Sequence, residues 1–371
     1  MTRNKKTVPK PWGDLHPDLL RHIYTNLYDP VDFIRFRAVC KGWHVGTPLS
    51  ERPPQFPLLL EREPDPLYSP EFKLYSLPTG RTYKLQLPEV QNKMFFEQSQ
   101  GHLVTFGTGD DSSPRNPTIL NPFTRAELPL PFGNCNFFTP IYIGTSDPTP
   151  NTDGVVMHVH CPEKGQHLGF WSKDENDWVL RKRDLGSARV FHKGRLFICR
   201  NRRTWAIDLP TGDELLNLWL PDQIGDFYCL VEAAGVLLGI VQHNFCTDRM
   251  PLENCWFEVY RLEEEENPPH WTKLSDIGDL MIFLNSNNGF CVSANGFDGI
   301  RGNCIYFTKW NGKDDHNSRT LIGRYELGPW GRADLKLWAT LGIQVGPGLC
   351  LMYNSNYQQR EITTLFCISN Y

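Results

Sequence analysis

The sequence predicts a mainly β fold in which a short N-terminal helical segment precedes a six- or seven-bladed β-propeller. Three observations carry this. Apolar residues recur at helical spacing only near the start of the chain. Beyond residue 51, short apolar strands alternate with proline and glycine turns, and these strand–turn units repeat with a period of about 40 to 50 residues. With 371 residues, 40% hydrophobic and 22% charged, the chain has more core-forming material than one ordinary domain needs. Its prolines and glycines are spread along its whole length, as many short strands joined by turns require.

In the helical segment, Leu15, Leu19, Leu20, Ile23 and Leu27 fall three and four residues apart, with Tyr24 beside them, so they line one stripe of a helix. Asp29-Pro30 reads as a second helix start. The aspartate can accept bonds from orphan amides, and proline at the first helical position sacrifices none. Val31, Ile34, Phe36, Val39, Cys40 and Trp43 extend this second helix. Two short helices cannot bury all of this surface against each other, so either the following domain or another chain covers it.

The region after residue 51 reuses one hairpin. Leu74–Gly80, Ile119–Arg125 and Ala206–Gly212 share a short apolar strand followed by a proline turn, with Pro78, Pro122 and Pro210 spaced 44 and 88 residues apart. Polar turns at Lys173–Asp177, Glu263–Pro269 and Asn311–Asn317 each precede a strand containing Trp178, Trp271 or Leu321, which brings the hairpins to six. A second repeat is a glycine-led apolar strand beginning at Gly101, Gly154, Gly194, Gly235 and Gly302, with a longer last step. A single blade cannot bury both faces of its sheet, so neighbours must stack and the ring must close. Two strands expected near Gly348–Tyr353 and Ile362–Ser369 either complete a blade begun near Phe56 or form a seventh.

The run Trp12-Gly13-Asp14-Leu15-His16-Pro17-Asp18-Leu19-Leu20-Arg21-His22-Ile23, followed by Asp32, Phe33, Arg37 and Val39-Cys40-Lys41-Gly42-Trp43, resembles an F-box motif. His16 and His44 depart from the residues common at those places. Phe290–Ala294, Phe297–Phe307 and the Asn121–Thr124 turn are similar to segments of a plant F-box family. Members of that family carry a C-terminal kelch-like domain once catalogued as of unknown function. The resemblance implies that residues 11–50 form an F-box and residues 51–371 a substrate-binding propeller, with residues 1–10 a basic flexible tail. It also implies that Leu15, Pro17, Leu19, Leu20, Ile23, Leu27, Val39, Cys40 and Trp43 meet a Skp-type adaptor, or shape the surface that meets it. The chain would then be the receptor subunit of a Skp–cullin–F-box (SCF) ubiquitin ligase, with a cullin reached through the adaptor and an unidentified protein as substrate. The alternatives are a non-ligase F-box scaffold and a propeller enzyme of glycosidase or hydrolase type.

The enzyme alternative needs placed carboxylates. Asp208, Asp213, Asp298 and Glu326 are candidates, but each sits at a turn or strand end where a solvated or capping role is the commoner one. His158 and His160, two apart on an expected strand, could join His167 or Cys161 around a metal. A polar pair on an outer face is the ordinary reading. The acidic run Glu263–Glu266 could face a basic partner. Neither catalytic residues, nor a metal, nor a cofactor is expected. A net charge of −4 offers no footprint for nucleic acid. The longest apolar run, Cys229–Val241, is too short to cross about 30 Å of hydrocarbon, so no membrane partner is expected. Eleven cysteines without a C-x-x-C pair or an export signal suit the reducing nucleus or cytoplasm.

Overall fold

The computed structural model describes residues 12–48, 56–62, 70–99, 102–107, 117–122, 125–130, 136–143, 155–161, 165–171, 178–181, 188–200, 202–208, 213–220, 227–243, 255–284, 289–297, 300–311, 319–328, 336–342 and 364–366. Among these, strands predominate and helices are confined to residues 12–46 and one 3-10 turn at Pro88–Val90.

The strands form six sheets. β1 (Leu58–Arg62), β2 (Glu71–Ser76) and β3 (Thr82–Gln86) share the first sheet with the last strand, β25 (Thr364–Phe366). β4 (Lys93–Ser99), β5 (His102–Gly107), β6 (Pro117–Leu120) and β7 (Glu127–Pro129) make the second. β8 (Asn136–Ile143), β9 (Val155–Cys161), β10 (Gly165–Trp171) and β11 (Trp178–Arg181) make the third. The fourth holds β12 (Ala188–His192), β13 (Arg195–Arg200), β14 (Arg203–Asp208) and β15 (Glu214–Trp219). The fifth holds β16 (Phe227–Ala233), β17 (Val236–His243), β18 (Trp256–Glu263) and β19 (His270–Leu274). Each of these four is an antiparallel meander, and neighbouring sheets meet through their first strands: β4 with β8, and β12 with β16.

This arrangement explains both sequence repeats. The proline hairpins are the outermost hairpins of their sheets: β2–β3, β6–β7 and β14–β15. Gly194 and Gly235 mark inner hairpins, while Gly101 and Gly154 lie outside the described residues. Lys193-Gly194 joins β12 to β13 and Ala234-Gly235 joins β16 to β17, with all four residues at positive φ (48°, 74°, 50° and 85°). Two-residue turns of that hand match the twist of the strands they join, and glycine adopts it without a steric cost.

Strands such as β1, β16 and β17 lack apolar–polar alternation because both of their faces are buried. In β16, Cys229 and Val231 pack toward the sixth sheet while Leu230 packs toward the fourth. In β17, Leu238 and Ile240 divide from Leu237 and Val241 in the same way. In β1, Leu58 and Leu60 pack toward the second sheet while Leu59 points the other way, into a cluster with Phe283 and Tyr306. Each apolar cluster therefore lies between two sheets, and burying one such side chain contributes about 1.5–3 kcal/mol. Cys199 and Cys229 belong to this packing, and burial pushes their thiols up to about 11 and about 12.

The final stretch joins the first sheet, with Leu58, Leu59 and Leu60 of β1 opposite Phe366, Leu365 and Thr364 of β25. The other strand expected there, near Gly348–Tyr353, lies outside the described residues. The sixth sheet departs from the pattern. It has five strands in the order β21 (Gly289–Ser293), β20 (Leu280–Leu284), β22 (Cys304–Asn311), β23 (Arg319–Glu326) and β24 (Lys336–Gly342), and β20 runs parallel to β22. The glycine-led strand β22 is thus preceded by two strands of its sheet instead of one, which accounts for the long last step in the repeat.

The parallel pairing brings Gly302 onto the backbone of Asp279, where a Cβ would sit 2.4 Å from the aspartate Cα and carbonyl carbon. Backbone cannot swing aside as a side-chain tip can. Gly302→Ala is expected to destabilise the chain by about 2 kcal/mol or more, as overpacking does. Gly107→Ala, with nothing within 4 Å, should stay within about 0.5 kcal/mol. Urea midpoints of the two variants check this, and equal midpoints would refute the close approach.

Candidate functional site

The helical segment is the one place where the described chain leaves a concentration of apolar surface uncovered. It opens with a 3-10 turn (Trp12–Asp14), followed by α1 (Pro17–Tyr24), α2 (Pro30–Arg37) and α3 (Lys41–Gly46). Asp29 caps α2, its Oδ1 accepting from the amides of Val31 at 2.9 Å and Asp32 at 3.3 Å, with Pro30 at the first helical position. The expected continuation of the second helix to Trp43 is corrected. Cys40 is extended (φ −162°, ψ 170°), so the chain breaks after Arg37 and restarts as α3.

The segment has its own small core. Tyr24 and Phe33 meet edge to face at 6.4 Å between centroids, and Phe36 lies 4.4 Å from Trp43. Trp43 Nε1 donates to the carbonyl of Trp12 at 3.1 Å, while Gly46 of α3 lies close to Leu20 Cδ1. Leu20, Tyr24, Phe33 and Trp43 are all buried. The nine residues expected at an adaptor surface therefore divide. Leu20 and Trp43 are internal, Leu15, Leu27 and Cys40 are half-buried, and Pro17, Leu19, Ile23 and Val39 are exposed.

Leu19 (54% exposed) and Ile23 (38%) stand one turn apart on α1. Trp12, Ile34, Val39 and Val45 complete six of the eight large exposed apolar side chains among the described residues. Trp12, Ile34 and Val45 were not among the expected site residues. The sequence held a signal for Ile34, which lies on the apolar face of the second helix, but not for Val45, whose exposure follows from the unforeseen break at Cys40. The other two, Leu215 and Trp219, are on β15, an outer strand where Arg203 lies over both Trp205 and Trp219.

The ring holds the segment through its first sheet. Asp29 Oδ2 accepts from the Tyr83 hydroxyl at 3.0 Å and the Thr79 hydroxyl at 3.4 Å, and Arg81 Nη1 reaches Asp32 Oδ2 at 2.8 Å. The Arg35 guanidinium lies 5.6 Å above the Tyr83 ring. Burial raises the Tyr83 hydroxyl above its ordinary range, and its bond to Asp29 adds to that. None of these contacts across about fifty residues was legible in the sequence, where Asp29 reads only as a helix cap.

Of the four acids weighed for the enzyme alternative, three lie among the described residues. The backbones of Asp208 and Asp213 close the outer β14–β15 hairpin, Glu326 pairs with Arg324, and Asp298 lies outside the described residues. The register pairs position 158 with Leu168, position 160 with Gln166 and His167 with Val159, so position 167 falls on the opposite face of the sheet from 158 and 160. Among the described residues no three metal-ligating side chains gather. The acidic run is engaged locally. Glu263 pairs with Arg261, Glu264 with His192 at 2.6 Å and Lys193 at 3.3 Å, and Glu266 with His270 at 3.7 Å. It ties the fifth sheet to the fourth, and only Glu265 stands almost fully in solvent.

The chain matches a family model described as a KIB1-4 beta-propeller over residues 74–329, most of its length. The chain belongs to the KIB1-4 β-propeller family. Three Arabidopsis thaliana proteins named as F-box proteins are similar along nearly their whole length. At3g25750 is 22% identical, covering 84% of this chain and 91% of that one. F-box protein At4g35733 is 24% identical (81% and 89%), and F-box/kelch-repeat protein At1g64840 is 23% identical (80% and 84%). The family match supports the β-propeller read from the sequence, and the relatives are named as F-box proteins.

Glu258 of β18 is a buried carboxylate with three partners. It accepts from His243 Nε2 at 3.1 Å, from the Tyr260 hydroxyl at 3.1 Å and from Lys273 Nζ. Burial opposes its charge, but these donors outweigh burial and hold the carboxyl below the usual carboxylate range. A lowered folded-state value means that the contribution to stability is complete above the ordinary range and fades as pH falls through the lowered one. Glu258→Gln is expected to be about 2 kcal/mol less stable at neutral pH. The deficit should shrink as pH falls below the ordinary carboxylate range, because the native carboxyl takes up its proton there. Urea titrations along that range check the sign, and a deficit that grows toward acid would refute it.

Proposed function

We propose that the helical segment docks a Skp-type adaptor and that the ring holds a protein substrate, making the chain the receptor subunit of an SCF ubiquitin ligase. One observation carries the proposal: Leu19, Ile23 and Ile34 on α1 and α2, and Val39 in the break before α3, remain exposed while the segment's inner side is already filled by Leu20, Tyr24, Phe33 and Trp43. The segment needs no further cover to hold its shape, so its outer residues are free for another polypeptide. A few desolvated apolar anchors usually carry most of such an interface. The F-box relatives support the same reading.

In this scheme residues 11–50 are the F-box and residues 51–371 the substrate domain, with each of the six sheets a blade. The chain acts by position. The adaptor and cullin bring a conjugating enzyme, the ring brings the target, and the gain in rate is one of effective concentration at a target lysine. No nucleophile or cofactor of its own enters this scheme, and its setting is the nucleus or cytoplasm.

The internal residues make poor probes, because Leu20→Ala or Trp43→Ala would hollow the segment's own core. Leu19→Asp with Ile23→Asp is expected to abolish capture of a purified Skp-type adaptor and leave the melting temperature within a few degrees of the native chain. Native chain that captures no adaptor, or a double variant that captures it normally, would remove the proposal.

A further inference from the structure

Two independent contacts grip the loop between α1 and α2, one polar and one aromatic. On the polar side the Asp29 carboxylate is divided: Oδ1 caps α2, while Oδ2 accepts from Tyr83 and Thr79 on the β2–β3 hairpin. A capping aspartate needs one oxygen for its helix. The second is spent on the ring, and Asp29 is only 6% exposed. Beside it, Asp32 and Arg35 of α2 engage Arg81 and Tyr83 of the same hairpin.

On the aromatic side, the Tyr28 ring meets Phe297 at 5.4 Å, and the Tyr28 carbonyl accepts from the amide of Phe56 at 3.1 Å. Phe297 and Phe56 pack edge to face at 5.5 Å, and Phe56 continues to Phe283 at 5.7 Å. Phe297 lies in the connection between β21 and β22 of the unusual sixth sheet. The helical segment is therefore fastened to the first and sixth sheets together, through adjacent residues 28 and 29. One attachment would leave a swivel, whereas two at different points remove it.

We infer that Asp29 is a positioning residue. It sets the angle between the outer face of α1 and α2 and the ring, so that the segment and the ring move as one body. The meaning of that angle for ubiquitin transfer rests on the proposed function, but the rigidity itself does not. If a receptor acts by holding a target lysine within reach of a conjugating enzyme, a swivel would dilute the productive geometry without weakening either binding event.

The test uses the full chain alone. Spin labels carried by non-natural amino acids at His22 on α1 and Leu215 on β15, both exposed, report the distance between segment and ring by pulsed dipolar spectroscopy. The native chain is expected to give one narrow distribution. Tyr83→Phe removes a donor to Asp29 without touching the helix cap, and Asp29→Ser keeps a capping oxygen but cannot reach the ring. Both should widen the distribution by about twofold or more while leaving helix content by circular dichroism unchanged, as loss of a hinge constraint does. Arg81→Ala combined with Tyr83→Phe should widen it further. A broad distribution in the native chain, or native-like widths in all three variants, would overturn the inference. Capture of the Skp-type adaptor, measured separately, should remain within about twofold of native for Tyr83→Phe, because the anchors on α1 are untouched. Failure of the adaptor reading would thus show in capture, and failure of the lock in the distances.

Discussion

The first and fifth sheets each have two apolar faces, and the rest of the structure follows from that constraint. A strand such as β17, with Leu238 and Ile240 serving one neighbour and Leu237 and Val241 the other, cannot be satisfied by a single partner sheet. Stacking is then obligatory for each sheet, and the series must close or leave two large apolar faces in water. The pairing of β25 with β1 makes the first sheet from both ends of the chain, so the ring is held by backbone bonds as well as by packing. Close approach of bulky side chains explains why glycine stands in some strand interiors. Gly239 faces Leu220 and Trp271 at distances a methyl group would crowd, and Gly323 lies against the Phe307 ring.

The helical segment obeys the opposite rule. Its inner residues are few and its core is complete with four large side chains, which leaves Leu19, Ile23, Ile34 and Val39 outside. Packing the segment flat against the ring would have hidden Leu19 and Ile23. Instead the ring holds it by the loop before α2 and by the charged side of that helix, through Asp29, Asp32 and Arg35. Polar attachment is what keeps the apolar face open: hydrogen bonds to a buried carboxylate fix orientation while covering little area.

The repeating architecture was legible because each blade reuses the same local chemistry. Proline turns sit at outer hairpins and glycine turns at inner ones, and both follow from backbone geometry that residue type alone dictates. Cys229–Val241 read correctly as buried strands for the same reason. The helix start at Asp29-Pro30 was legible as a local cap. What the sequence could not show was everything decided by distant partners. Leu19 and Leu20 are adjacent leucines in one stripe, and only the position of α3 makes one internal and the other exposed. The break at Cys40 carries no proline or glycine before it. The acidic run looked like a free patch until His192 and Lys193 arrived from another sheet. The parallel entry of β22 beside β20 is likewise invisible, since a strand's composition does not reveal which neighbour it will pair with.

The sixth sheet is where these two rules meet. By placing β21 and β20 before β22, it departs from the meander and creates the connection that carries Phe297. That residue, with Phe56, forms the aromatic seat for Tyr28. A regular meander would join its strands by short hairpins and leave no such connection at this edge. The irregular blade therefore coincides with the place where a second module must be fastened, next to the sheet that closes the ring. Strain in the helical segment would be transmitted directly to the packing between the first and sixth sheets, because Phe56 lies at once against Phe283 and Phe297 and at the entry to β1. The aromatic half of the joint that holds the segment thus shares its side chains with the packing between the first and sixth sheets.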